Sequence, residues 1–148
     1  MGKTPILSLA AAAMLNAGTT FAAGKLVVSD AWIRTPPPNM SMLAGYATLR
    51  NAGDKPLTIL GASSPAFGAA SLHQTVSADG IERMRPLGTV RLVPGASVTL
   101  APGGKHLMLM QPKHALAAGD KVTVHFNIGG SPGADAEFAV RDAAPDAH

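Results

Sequence analysis

Cysteine is absent from all 148 residues of the sequence. Its absence excludes disulfide bonds, zinc–thiolate sites, iron–sulfur clusters and a thiol nucleophile. It also excludes copper sites that require a cysteine ligand, such as the blue-copper type. A soft metal site in this chain must therefore take its sulfur from methionine, whose thioether needs no deprotonation before it binds a metal.

Aromatic and charged residues are also scarce, at 4% and 14% of the sequence. The hydrophobic fraction of 47% is ample for the core of one domain, and aliphatic side chains must supply most of it. The formal net charge is +3, but the basic residues are scattered and no aromatic stacking platform accompanies them. We therefore expect no nucleic-acid partner.

The apolar run at residues 5–15 is too short for a stable membrane anchor, which needs about 20 residues. Lys3 precedes this run, and Thr20-Phe21-Ala22 places small residues where signal peptidase requires them. The pattern predicts a signal peptide over 1–22, a mature chain without stable membrane insertion, and a location outside the cytoplasm. An uncleaved anchor is the alternative. We expect one β domain over 23–142 and a frayed tail over 143–148.

No window of helical length carries an apolar stripe, whereas alternation with period two recurs along the chain. It is clearest at residues 121–128, where every even position is apolar. Many short strands between Gly- and Pro-rich turns predict an all-β, antiparallel Greek-key sandwich or barrel. Residues 69–76 and 81–85 are predicted to form a hairpin with Ser77–Gly80 as its loop, and a helical turn is expected around 112–118.

Two histidines and two methionines stand at defined spacings in the middle of the chain. Ten residues separate His73 from Met84, twenty-one separate Met84 from His106, and one separates His106 from Met108. Imidazole and thioether together form a soft, uncharged ligand set, which favours Cu(I) over Zn(II) or Ca(II).

Strand geometry offers a way for these side chains to meet. His106 and Met108 are two apart, so they project from the same face of a strand. His73 and Met84 lie on opposite arms of the predicted hairpin and converge if its register allows. The ordinary alternative is that methionine fills the core and that each histidine is a surface residue. Two further histidines, His114 and His125, are interpreted as solvent-facing.

The spacing of these four residues resembles the signature of the periplasmic copper chaperones of the PCuAC type. The flanking sequences are similar as well, over essentially the whole mature chain. They include Ala31-Trp32-Ile33-Arg34 before prolines, Gly45-Tyr46-Ala47-Thr48-Leu49-Arg50-Asn51, Met84-Arg85-Pro86, and Pro102-Gly103-Gly104-Lys105 before His106.

The resemblance implies a cupredoxin-like β fold that binds Cu(I) through His73, Met84, His106 and Met108. It also implies a periplasmic metallochaperone that delivers copper to the dinuclear copper site of cytochrome c oxidase, in subunit II, or to another copper-assembly protein. We expect the protein to be a monomer without enzymatic activity. Some members carry a methionine shortly after the first histidine, or a His/Met-rich tail, for a Cu(II) site. This chain has Gln74 and Thr75 there and only His148 in its tail, so no second Cu(II) site is expected.

Three other functions remain open on the sequence alone. A copper oxidase or hydrolase is disfavoured, because no serine-centred elbow or phosphate loop appears and methionine ligation stabilises reduced copper. A secreted copper-storage or resistance protein would use the same ligands. A β-sandwich interaction module with an accidental His/Met spacing would bind no metal.

Overall fold

The computed structural model describes residues 25–145. The predicted signal peptide lies outside this range, and so do the last three residues of the predicted tail. Within residues 25–145 the chain contains no helix, and hence none that could cross a bilayer.

Ten strands account for most of the described chain. They are β1 (Leu26–Arg34), β2 (Met42–Asn51), β3 (Leu57–Ser63), β4 (Phe67–Ala78), β5 (Ile81–Pro86), β6 (Val90–Leu92), β7 (Ser97–Leu100), β8 (Lys105–Pro112), β9 (Lys121–Ile128) and β10 (Ala134–Arg141).

Seven of these strands close into a barrel. The order β4-β8-β2-β1-β10-β9-β3 returns to β4 through a short contact in which Ala62 pairs with Ala70. β5, β6 and β7 lie outside the ring and pair with β4, β3 and β2 respectively. The neighbouring pairs are antiparallel except β1 and β10, where Trp32 pairs in parallel with Ala139. The predicted all-β class is confirmed. The sheet is antiparallel, as predicted, except for this one parallel pair.

Alternation along the strands separates the barrel interior from its outer surface. In β9 the even positions are buried and the odd ones are more exposed, as the sequence pattern predicts. The interior is almost entirely aliphatic apart from three phenylalanines, which agrees with the low aromatic content. Its most deeply buried members are Ile33, Leu49, Ile59, Leu107, Leu109, Val124, Phe126, Phe138 and Val140.

Two local predictions differ from the structure. Ala78 pairs directly with Ile81, so the β4–β5 loop contains only Asp79 and Gly80 and is shorter than the predicted Ser77–Gly80 loop. Both loop residues have positive φ, 53° and 76°, which is the type I′ geometry that lets strands pair right up to the turn. The helical turn expected around 112–118 is wrong: the end of β8, bends and a loop occupy this segment.

Asn51 is a fully buried polar residue that joins the β2–β3 loop to the end of β6. Its Nδ2 donates to the carbonyls of Lys55 and Leu92, at 2.8 and 2.9 Å, and its Oδ1 accepts from the Gly53 amide at 2.9 Å. Both N–H groups and the carbonyl oxygen of the side chain thus have a partner, so burial leaves no polar atom unpaired.

Replacing Asn51 by alanine should destabilise the fold by about 3 kcal/mol, because two carbonyls and one amide lose their partner in a buried setting. Urea unfolding monitored by circular dichroism measures this loss. Asn127→Ala, at an exposed position of β9, is the control and should change the midpoint little. Equal midpoints for the two variants would contradict the structural role of Asn51.

Candidate metal site

The pairing of β4 with β8 brings two histidines together. His73 and His106 are direct cross-strand partners, so both project from the same face of the sheet. Their ring centroids are 6.2 Å apart and the ring planes differ by 21°. Two histidines with thirty-two residues between them in the sequence thus present adjacent imidazoles.

Met108 extends this pair along β8. It pairs with Ser71, two residues from His73, and therefore projects from the same face as both histidines. Its neighbours Leu107 and Leu109 point the other way, into the core. Met108 is only 9% exposed but is not part of the core cluster, so its burial arises on the outer face of the barrel.

Met84 occupies a more distant position on the same face. It pairs with Thr75 of β4, which makes it a diagonal neighbour of His73. Thr75 and Ser71 are four residues apart, so Met84 and Met108 are separated by about 13 Å along the strand direction. Met84 is 59% exposed on an edge strand. The structure thus groups His73, His106 and Met108, with Met84 as the outermost of the four candidates.

The His106 ring is held in one orientation and one tautomer. Its Nδ1 lies 3.2 Å from the carbonyl oxygen of Gly104, which can only accept a hydrogen bond, so Nδ1 carries the proton. The other ring nitrogen, Nε2, is buried and has no hydrogen-bond partner. A buried, unpartnered lone pair is costly unless something binds it. Donation of one ring N–H to a backbone carbonyl is also the usual arrangement of metal-ligating histidines.

Two neighbouring groups that support this arrangement were not predicted from the sequence. The Gly104 carbonyl also accepts from the Thr75 amide at 3.1 Å, so it joins β4 to the start of β8 while orienting His106. The Ser71 hydroxyl lies 3.2 Å from Nδ1 of His73. A glycine carbonyl carries no sequence signal for such a role, because every residue has one.

An aromatic pair flanks the site on the β2 side. Tyr46 is the next residue after Ala44 on the outer face of β2, and Ala44 pairs with Met108. Trp32 of β1 pairs with Tyr46, their ring centroids are 4.9 Å apart, and both are buried. Like Met108, the two rings lie outside the core cluster. They form a rigid apolar wall on the outer surface, and the Arg34 guanidinium covers Trp32 at 5.5 Å.

The remaining histidines in the described chain lie elsewhere. His125 Nδ1 donates to the carboxylate of Asp135 at 2.6 Å, on β9 and β10, while His114 is exposed in the loop after β8. Between residues 25 and 145, no three His, Asp or Glu side chains gather in a way that could hold a metal ion. The His/Met group is therefore the candidate metal site of that part of the chain.

The methionines have an unusual distribution. None of the five methionines between residues 25 and 145 belongs to the hydrophobic core cluster or is packed against it. Four of them, on β2, β5 and β8, face the same side of the sheet as His73. Core filling, the ordinary use of methionine, does not account for them.

Solved structures of PCuAC domains resemble this β barrel. The PCuAC domain of PmoF1, solved without metal, aligns with a TM-score of 0.65 and 28% identity over 83% of this chain and 97% of that domain. The solution structure of Cu(I)-DR1885 from Deinococcus radiodurans aligns with a TM-score of 0.58 and 26% identity over 82% of this chain and 83% of that one. The predicted cupredoxin-like fold class is thereby confirmed.

The family is given by the sequence match. Residues 26–140 match the family described as "Putative lipoprotein LpqE-like", and the chain belongs to that family. Putative lipoprotein Lxx21020 of Leifsonia xyli subsp. xyli is 33% identical over 66% of this chain and 58% of its own length. Uncharacterized protein RP573 of Rickettsia prowazekii is 34% identical over 59% of this chain and 49% of its own. The chain thus spans about half the length of these curated relatives, and its 148 residues offer no cysteine for lipid attachment.

The Gly104 contact predicts which nitrogen of His106 is protonated. In the metal-free protein at neutral pH, His106 should be the Nδ1–H tautomer, leaving the Nε2 lone pair free. Long-range ¹H–¹⁵N correlation spectra distinguish the two tautomers directly. His114, exposed in its loop, serves as the reference ring. A predominant Nε2–H form of His106 would contradict the arrangement described above.

Proposed function

We propose that this protein is a periplasmic metallochaperone that binds one Cu(I) ion through His73, Met84, His106 and Met108. The observation that carries the proposal is the buried, unpartnered Nε2 of His106 beside the ring of its cross-strand partner. No side chain or backbone group of residues 25–145 satisfies that lone pair. The structure of Cu(I)-DR1885, which is 26% identical to this chain, supports Cu(I) as the bound ion.

The chemistry of the ligand set selects the ion. Two neutral imidazoles and two thioethers bring no negative charge. They therefore suit a monovalent cation better than a divalent one, which is stabilised by charged ligands such as carboxylates. Thioether sulfur is a soft donor that favours Cu(I). The buried rings of Trp32 and Tyr46 bring no carboxylate to the site, so they add no negative charge that would favour a divalent ion.

The exposure of the four ligands suggests how the ion is released. His106 and Met108 are 6% and 9% exposed, whereas Met84 is 59% exposed on the edge strand β5. An acceptor can replace the Met84 sulfur first and the buried ligands afterwards, so the ion is never free in solution. This stepwise exchange of ligands involves no oxidation or reduction, and the protein acts as a carrier without catalysing a reaction.

The acceptor that we propose is the dinuclear copper site of cytochrome c oxidase subunit II, or another copper-assembly protein. The proposed location follows from the signal peptide over 1–22, with the mature β domain over 23–142 and a short tail over 143–148. A copper-storage protein would use the same ligands but would need no exposed one. The exposure of Met84 therefore favours delivery over storage.

His106→Ala should weaken Cu(I) binding by at least about 100-fold, because it removes the most buried ligand of the set. Met84→Leu should weaken it by only about 10-fold, because this thioether is the outermost and most exposed of the four. Competition with a chromophoric Cu(I) chelator under reducing conditions measures both constants. His114→Ala is the matched control and should bind as the unmodified protein does.

Tight one-to-one binding in a His106→Ala/Met108→Ala double variant would reject the site. Thermal unfolding provides a second readout, since a ligand that binds only the folded state at 100 times its dissociation constant stabilises it by about 2.7 kcal/mol. An interaction module without metal would show no such increase in melting temperature.

Delivery is tested by transfer to the purified copper-binding domain of subunit II. The loaded protein should fill that site faster than the same concentration of chelated Cu(I). Met84→Leu should retain most of its copper and yet transfer it more slowly, because the first ligand to be exchanged is missing. Equal transfer rates for the chaperone-bound and chelated ion would leave binding intact and overturn delivery to this acceptor.

A further inference from the structure

We propose that Met42 and Met110 form a second, weaker site for a soft monovalent metal ion, next to the His/Met site on the same sheet face. The two residues are direct cross-strand partners on β2 and β8. Directly opposed residues have Cβ atoms about 5 Å apart. Two flexible thioethers at this separation can bind one ion between them in the linear geometry that Cu(I) and Ag(I) accept.

The pair continues the row of candidate ligands already described. Met110 follows Met108 by two residues on β8, so their Cα atoms are about 6.7 Å apart and both project outward. On β2, Met42 and Ala44 pair with Met110 and Met108 respectively. Because Ala44 is small, β2 places no bulky side chain beside Met108 that would separate it from Met42.

Exposure decreases along the row toward the histidines. Met42 is 43% exposed and Met110 is partly exposed, while Met108 and His106 are buried. Exposed apolar side chains are unfavourable in water, and neither thioether contributes to the core. An accessible pair of sulfurs leading to a buried sulfur and a buried imidazole is an arrangement suited to capture of an ion and its transfer inward.

The existence of this pair site is independent of the proposed function, whereas its role as an entry point rests on that function. An ion would pass from Met42 and Met110 to Met108 and then to His106 by formation of one metal–ligand bond as another breaks. The oxidation state is unchanged throughout, so no electron donor or acceptor is needed. Loss of the exposed pair should slow loading without weakening the final complex.

The test is titration of the purified protein with Ag(I), a redox-stable probe for soft sites, after labelling of the methionine methyl groups with ¹³C. The first equivalent should shift the Met84 and Met108 signals and the ring signals of the two histidines. The second equivalent should shift Met42 and Met110, with an affinity about 100-fold weaker because no imidazole takes part. Met40, which is 48% exposed in the preceding loop, should not respond.

Met42→Leu and Met110→Leu should each abolish the second binding event, and Met40→Leu should leave it unchanged. If Met42 and Met110 remain unshifted through two equivalents, or if Met40 responds equally, the pair site is rejected. Shifts of the pair without shifts of the histidine rings would uphold the pair site and reject the proposed function. Shifts of the histidine rings without shifts of Met42 and Met110 would uphold the proposed function and reject the pair site.

Loading rates test the entry role. Transfer of Cu(I) from a chelator to the His/Met site should be about 10-fold slower in the Met42→Leu/Met110→Leu double variant, with an unchanged final affinity. Met40→Leu is again the control. Unchanged loading in the double variant would overturn the entry role, whatever the Ag(I) titration shows.

Discussion

The register between β4 and β8 is the constraint on which the candidate site depends. Pairing of His73 with His106 places both imidazoles on one face and Leu72 and Leu107 on the other. A slip of one of these strands by one residue would turn its imidazole into the core and its leucine outward. Hydrophobic burial therefore determines which face the two histidines occupy, because a one-residue slip would expose leucine and bury imidazole without a partner.

The barrel has two buried layers that serve different purposes. The interior is filled by aliphatic side chains and phenylalanine, and it stabilises the fold. The outer layer contains Trp32, Tyr46, Met108 and His106, which are buried although they lie on the far side of the sheet from that core. A surface shaped in this way holds side chains rigidly and keeps water away from them, as a ligand site requires.

Much of the fold could be predicted from short-range pattern. The alternation at residues 121–128 indicated a half-buried strand, and Asp79-Gly80 indicated a hairpin, because both signals are local. The parallel pairing of β1 with β10 joins the two ends of the domain and has no local signature. The sequence also placed His106 and Met108 on one face, but it could not show that His73 pairs with His106, or that the Gly104 carbonyl selects the tautomer. These features depend on which strands become neighbours, and periodicity does not determine that.

The position of β5 at the end of the sheet also affects how molecules of this protein meet one another. One side of its backbone has no neighbouring strand within the described chain, and such an edge tends to recruit strands from other molecules and to start aggregation. Glu82, Arg83 and Arg85 place charge along this strand, and Pro86 removes a backbone donor. The strand that keeps a thioether accessible thus carries the residues that discourage edge-to-edge addition, and the protein can remain open at this edge without polymerising.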